Sequence, residues 1–248
     1  MALFVIADTH LSLSTDKPMD IFNGWDNYME RLEKNWRALV SEKDTVVIPG
    51  DVSWAMDLKD CEKDFAFLQA LPGRKILMKG NHDYWWTTKK KMDAYLEEKG
   101  FDSLYILSNN SFEYENVAIC GTRGWIFEGG QPQDQKIVAR EAGRLKMSLE
   151  DAEKRFPGKE KLVFLHYPPV YGNETNESIL QVLRDFGIKR CWYGHIHSAG
   201  CRFALNGEYE GVESRLISAD YLKFTPKIIH IKEIFLWIFV TSHKKSVQ

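Results

Sequence analysis

Short apolar runs that stop abruptly on polar residues recur five times along the chain. Leu3-Phe4-Val5-Ile6-Ala7 ends at Asp8-Thr9-His10, Thr45-Val46-Val47-Ile48 at Pro49-Gly50-Asp51, and Lys75-Ile76-Leu77-Met78 at Gly80-Asn81-His82-Asp83. Leu162-Val163-Phe164-Leu165 then delivers His166, and Cys191-Trp192-Tyr193 delivers Gly194-His195-Ile196-His197. Such runs read as strands buried on both faces, the habit of parallel sheets. In open α/β sheets ligands bind beyond the carboxyl ends of the strands, so five polar clusters far apart in sequence are expected to converge on one place.

Helical spacing fills the crossovers. Residues 26–41 repeat apolar positions at Tyr28, Met29, Leu32, Trp36, Leu39 and Val40, and residues 60–71 behave similarly until Pro72-Gly73 stops them. Residues 87–99 carry an inner stripe of Met92, Tyr95 and Leu96 beneath a solvated Lys89-Lys90-Lys91 face. A Gly/Pro/Gln-rich stretch at 129–135 leads into a long helix expected over 135–156, with Ile137, Leu145, Leu149 and Ala152 inside. Hairpin-like segments are expected around Asn206-Gly207.

Composition narrows the class. With 248 residues, 44% of them hydrophobic, the chain can bury a sizeable core, and no repeat or linker marks a second domain. A net charge of -2 offers no general basic footprint, which argues against nucleic acid as a partner and against a nonspecific nuclease. Cys61, Cys120, Cys191 and Cys201 show no C-x-x-C spacing and read as reduced thiols, so a cytoplasmic location is expected. The N-terminal apolar stretch is too short for a signal peptide and ends in Asp8, a candidate ligand. The apolar run at 234–240 falls short of the roughly 20 residues that span a bilayer. It reads as a terminal strand or docked segment, with a dimer or peripheral membrane contact left open, and no transmembrane span is expected.

The chemistry lies in the five polar clusters taken together. A lone His at a strand end is usually a hydrogen-bonded structural residue, and Gly-Asp often marks only a turn. The ordered set D-x-H, G-D, G-N-H-D, H and G-H-x-H is far more specific. It resembles the calcineurin-like metallophosphoesterase superfamily, block for block and in the same order. The resemblance implies an α/β fold of two packed mixed β-sheets flanked by helices in four layers. It implies a domain over 1–226 with a cap-like insertion at about 123–160, followed by a C-terminal extension at 227–248. By position, it implies that Asp8, His10 and His197 bind one metal, that Asn81, His166 and His195 bind another, and that Asp51 bridges the two. It also implies that His82 faces the phosphoryl group, with Asp83 fixing its orientation, and that Asn81 offers its amide NH2 to a phosphoryl oxygen.

Mixed imidazole and carboxylate shells suit two divalent transition-metal ions, Mn, Fe or Zn, and two such ions bridged by water would aim a hydroxide at phosphorus. The expected activity is therefore hydrolysis of a small phosphomonoester or phosphodiester. A nuclease, a noncatalytic scaffold of the same fold and a nucleotide-stacking module are the alternatives. The run Gly50-Asp51-Val52-Ser53-Trp54 lacks the G-D-x-x-D-R-G of Ser/Thr protein phosphatases, which disfavours protein substrates. Arg123 is nominated for phosphate contact, since a guanidinium grips two oxygens at once, with a structural salt bridge as its alternative; Arg140 and Arg144 are weaker candidates. Trp54, Tyr84, Trp85, Trp86, Trp125, Tyr167 and Tyr171 crowd the motifs and are expected mostly to pack beneath the loops.

Overall fold

The computed structural model describes residues 1–125 and 132–230. Each expected apolar run forms a strand: β1 (Leu3–Val5), β2 (Thr45–Ile48), β3 (Arg74–Leu77), β7 (Glu160–Leu165) and β10 (Arg190–Tyr193). Further strands are β4 (Leu104–Ile106), β5 (Phe112–Tyr114), β6 (Val117–Thr122), β8 (Val170–Tyr171), β9 (Glu174–Thr175), β11 (Gly207–Tyr209), β12 (Val212–Leu216) and β13 (Lys227–Ile229). The helices are α1 (Tyr28–Leu39), α2 (Glu62–Gln69), α3 (Lys89–Glu98), α4 (Pro132–Arg155) and α5 (Glu177–Asp185).

Two mixed sheets result. One runs β13-β1-β2-β3-β4, parallel except for β13; the other runs β11-β12-β10-β7-β6-β5, with a parallel centre and antiparallel edges. Strands buried on both faces serve two cores, because alternate side chains point to opposite sides of a sheet. Leu3, Val5, Val47 and Ile76 of the first sheet meet Ile119, Leu162, Phe164 and Trp192 of the second in the seam between them. Phe4, Ile6, Val46 and Ile48 point outward onto Leu32 and Trp36 of α1 and Phe65 of α2. Cys120, Val163 and Cys191 do the same toward α4 and α5. The order of layers is helix, sheet, sheet, helix.

Several expectations shift. Within the segment 123–160, α4 forms the crossover between the parallel strands β6 and β7. It buries Ala142, Leu145, Leu149 and Ala152 against the outer face of the second sheet, because its apolar stripe matches that surface; Val138 is buried where Ile137 is half-exposed. Residues 126–131 lie outside the described residues. The hairpin near Asn206-Gly207 turns later, at Glu210-Gly211, where both residues have positive φ (48° and 81°) and Tyr209 pairs with Val212. Asn206 instead accepts the Leu216 amide at 3.0 Å. The first residues of the expected C-terminal extension form β13 on β1, carrying the first sheet beyond residue 226. The apolar run at 234–240 lies outside the described residues. All four cysteines are free. Among the described residues no helix is long and apolar enough to cross a membrane.

Candidate metal centre

All five polar clusters lie just past the carboxyl ends of parallel strands, at the rim of the seam. The first sheet contributes Asp8, His10, Asp51 and Asn81 after β1, β2 and β3; the second contributes His166, His195 and His197 after β7 and β10. The rim is stitched by the backbone. Asp8 N–H donates to Gly50 O (3.0 Å), His10 N–H to Asp51 O (2.9 Å), Gly194 N–H to His166 O (3.1 Å), and Ala7 N–H to Ile217 O (2.9 Å) across the seam.

Two clusters of side chains are poised to chelate metal ions: Asp8, His10 and His197, and Asp51, His166 and His195, each with ligand atoms within 4.8 Å of one another. Asp51 faces both. Its Oδ2 lies 3.7 Å from His10 Nε2 and its Oδ1 lies 3.6 Å from His166 Nε2. Asn81 Oδ1 joins the second cluster, 2.7 Å from His166 Nε2 and 2.9 Å from His195 Nδ1. Asp8 Oδ1 is 3.8 Å from His197 Nε2 and 3.6 Å from His166 Nδ1.

The electrostatics of this arrangement suit a cation. Burial pushes the Asp8 carboxyl up to about 8, although His197 opposes it, and burial likewise raises Asp51. Burial holds His10 and His166 well below the usual imidazole range, and with His166 alongside it takes His195 to about 2. His197 is the exception: burial opposes its charge, but Asp8 and Asp220 outweigh that and carry it to about 9. Buried carboxyls raised above their usual range, among imidazoles that apart from His197 are held neutral, leave the site short of positive charge, which a divalent ion would supply while using the imidazole lone pairs as ligands. Two imidazole nitrogens here, His10 Nδ1 and His197 Nε2, are buried without a hydrogen bond among the described residues.

Close approach has a backbone cost. Asp8, His10, Asp51 and His195 all have φ between 45° and 70°, a left-handed conformation costing non-glycine residues of order 1 kcal/mol each. Gly50 has φ +91°, and a Cβ there would sit 2.7 Å from His166 Nδ1. A Cβ on Gly80 would meet the Asp51 carboxylate.

His82 stands beside the clusters, its ring centroid 5.8 Å from His10 and 4.3 Å from Trp54, and its backbone N–H donates to Asp51 Oδ1 at 2.8 Å. Asp83, expected to orient His82, has its oxygens taken by other donors. Val52 N–H, Ser53 N–H and Trp85 Nε1 donate to Oδ1, and Gly80 N–H donates to Oδ2. His82 Nδ1 is buried with no hydrogen-bond partner among the described residues. Asp83, raised to about 7 by burial and then by Asp51, ties together the loops that carry Asp51 and Asn81. Arg123 lies at the edge of the site. Its carbonyl accepts the His166 and Tyr167 amides, while its guanidinium rests on Trp125 (4.8 Å) and reaches Glu141 at 3.4 Å. Arg140 and Arg144 reach the same carboxylate. Of the aromatic set, Trp85 and Tyr167 are buried, Trp54, Trp86, Trp125 and Tyr171 are partly buried, and Tyr84 is exposed.

This geometry agrees with comparison to known proteins. The calcineurin-like phosphoesterase family matches residues 1–199, which contain all five clusters. The chain belongs to that family. As a calcineurin-like phosphoesterase it also shares its fold with solved structures. Phosphopantetheinyl hydrolase from Mycobacterium tuberculosis is 13% identical, covers 93% of this chain and 96% of its own, and superposes with a TM-score of 0.55. TT1561 of Thermus thermophilus is 12% identical, with coverage of 79% and 81% and a TM-score of 0.52. Among curated proteins none matches the chain.

One residue of this family member's site escapes the five-cluster reading. Asp220 accepts His197 Nδ1 at 2.8 Å and the Ser198 amide at 2.9 Å, fixing which imidazole nitrogen faces Asp8. Its signal was the same strand-end pattern, since Leu216-Ile217-Ser218-Ala219-Asp220 runs off β12, itself parallel to β10.

Proposed function

We propose that the chain is a dinuclear metal-dependent hydrolase of phosphate esters, taking a small phosphomonoester or phosphodiester. The observation that carries this reading is Asp51, whose two oxygens face opposite clusters, as a bridging carboxylate requires. Asp8, His10 and His197 would hold one ion, and Asn81, His166 and His195 the other. The imidazole and carboxylate donors favour Mn, Fe or Zn over Mg or Ca. Two bound ions supply an activated water and neutralise charge on the phosphoryl oxygens.

The chain's own groups do the rest. Asp220 keeps the His197 proton on Nδ1, leaving Nε2 as the donor atom. Asn81 presents its amide NH2 to a phosphoryl oxygen while its Oδ1 turns to His166 and His195. His82 gives a proton to the departing oxygen; its ring beside His10, 5.8 Å between centroids, supports that role. Asp83 positions the loops and touches no reacting group.

Metal analysis after reconstitution with Mn, Fe or Zn, followed by assay on a panel of phosphate mono- and diesters, tests the reading. Two ions per chain and metal-dependent hydrolysis are expected, and Asp51→Asn should lower occupancy at both sites because it removes the shared negative charge. A chain that binds no transition metal, or an Asp51→Asn variant that keeps both, would overturn it.

A further inference from the structure

Beside the metal centre lies a cavity of about 490 Å³, formed where β3, β4 and β6 end and where α4 and the start of α3 close over them. Its charged lining is Lys79, Lys89, Arg123 and Arg144 against a single carboxylate, Glu141. In a chain whose formal charge is -2, such a surplus in one concavity is a local feature. Like charges gathered in a cleft focus the field on a counter-ion.

Glu141 cannot neutralise the group. It is fully buried and already accepts from Arg144 (2.8 Å), Arg123 (3.4 Å) and Thr122 Oγ1 (2.8 Å), with Arg140 at 3.7 Å. It serves to hold the Arg123 and Arg144 guanidinium groups in place. Arg123 Nε is buried and lacks a partner among the described residues. Lys79 lies within electrostatic reach of Arg123 and Arg144 as well as of the Asp83 and Glu141 carboxylates, and its ammonium makes no ion pair among the described residues. The N-terminus of α3, capped by Thr88, adds backbone donors and the positive end of a helix dipole to the same wall.

The cavity adjoins the candidate metal centre through the backbone. Lys79 directly precedes Gly80-Asn81, and the Arg123 carbonyl accepts the His166 amide at 3.0 Å. We propose that this cavity is a second anion subsite, which binds a phosphate carried by the substrate away from the ester that is cut. The preferred substrates are then small molecules bearing two phosphate groups. This assignment rests on the hydrolase reading for its meaning, but binding alone can measure it.

The probes are a graded series of alkylene bisphosphonates, which resist hydrolysis, each set against its matching alkyl monophosphonate. Calorimetric titration of the metal-loaded full chain should find at least one spacer length whose bisphosphonate binds about tenfold more tightly than its monophosphonate, the gain expected from charge-assisted bonds to two cations. Lys79→Met and Arg144→Met should each erase most of that difference, with metal content measured alongside. Arg144 lies on α4, away from the candidate ligands, so it separates loss of the subsite from damage to the metal centre. No advantage at any spacer length, or one that survives both substitutions, would overturn the proposal. Failure of the hydrolase reading would appear separately, as a metal-loaded chain that binds bisphosphonates but cleaves no ester.

Discussion

One methyl group added at Gly80 should dismantle the metal centre without removing a single ligand. The Cβ of Gly80→Ala would stand 2.8 Å from Asp51 Cγ and closer still to its Oδ1 and amide nitrogen. Carbon atoms in contact sit about 3.5 Å apart, so the Asp51 loop must retreat by roughly 1 Å. Easy relief is blocked, because Asp51 N and Oδ1 are held by the same tight loop, and Asp83 ties Gly80 to Val52 and Ser53. A misplacement of about 1 Å typically costs on the order of 10² in rate, and here it strikes the carboxylate that faces both clusters. Gly80→Ala should therefore lower occupancy at both metal sites and reduce hydrolysis at least about a hundredfold. The control is Gly143→Ala on α4, where a new Cβ has nothing within 4 Å. That change should stabilise the helix by about 1 kcal/mol and leave metal content alone. Metal analysis, a melting curve and turnover of a nitrophenyl phosphodiester read all three quantities. A Gly80→Ala chain with two ions and full turnover would show that Asp51 does not pack against Gly80 in the working protein.

Asp220→Asn should weaken one metal site about 10- to 100-fold by loosening His197, so competition with a graded chelator should show one affinity falling and the other holding; equal loss at both sites would refute the assignment. His82→Ala should cost about 10² to 10⁴ with an alkyl ester but far less with a nitrophenyl ester, whose leaving oxygen needs no proton, and equal losses on the two substrates would point to electrostatic binding of the phosphoryl group instead. Lys75, buried in β3 with Nζ donating to Leu71 O at 2.6 Å, is pushed by burial down to about 8 from 10.5. The unfolded chain then binds more protons between those values, so stability should rise as pH climbs through that window and level off below pH 8. Lys75→Met should flatten the rise in urea unfolding, and an unchanged slope would remove Lys75 as its source.

The strands and ligand loops were legible because they obey local rules. Continuous runs such as Thr45-Val46-Val47-Ile48 can be buried on both faces only in a covered parallel sheet, and the polar residue after each run then has one place to go. Other features depend on tertiary facts that a linear pattern does not carry. The β5–β6 hairpin turns at Glu115-Asn116 without the Asn-Gly signal, Glu115 taking φ 46°. The hairpin signal at Asn206-Gly207 misleads because Asn206 has a partner in the Leu216 amide. The docking surface of α4 is another such feature, since nothing in its own periodicity says which surface its apolar stripe meets. Asp83 reads from its motif as a partner for His82, and the donors that its oxygens accept from, Val52, Ser53, Gly80 and Trp85, are not visible in that motif. Helix α5 goes unnoticed in the pattern although Asn176 caps it at the Ile179 amide.

The ligands are divided between the two sheets in a particular way. Asp8 and His10 come from the first sheet and His197 from the second, while Asp51 and Asn81 come from the first and His166 and His195 from the second. Each ion would therefore be a rivet through both layers, placed at the open rim of an otherwise apolar seam. Repacking deep in that seam, at Val47 or Ile119, would change the gap the rivets must span, and so tune catalysis from residues that never see the substrate.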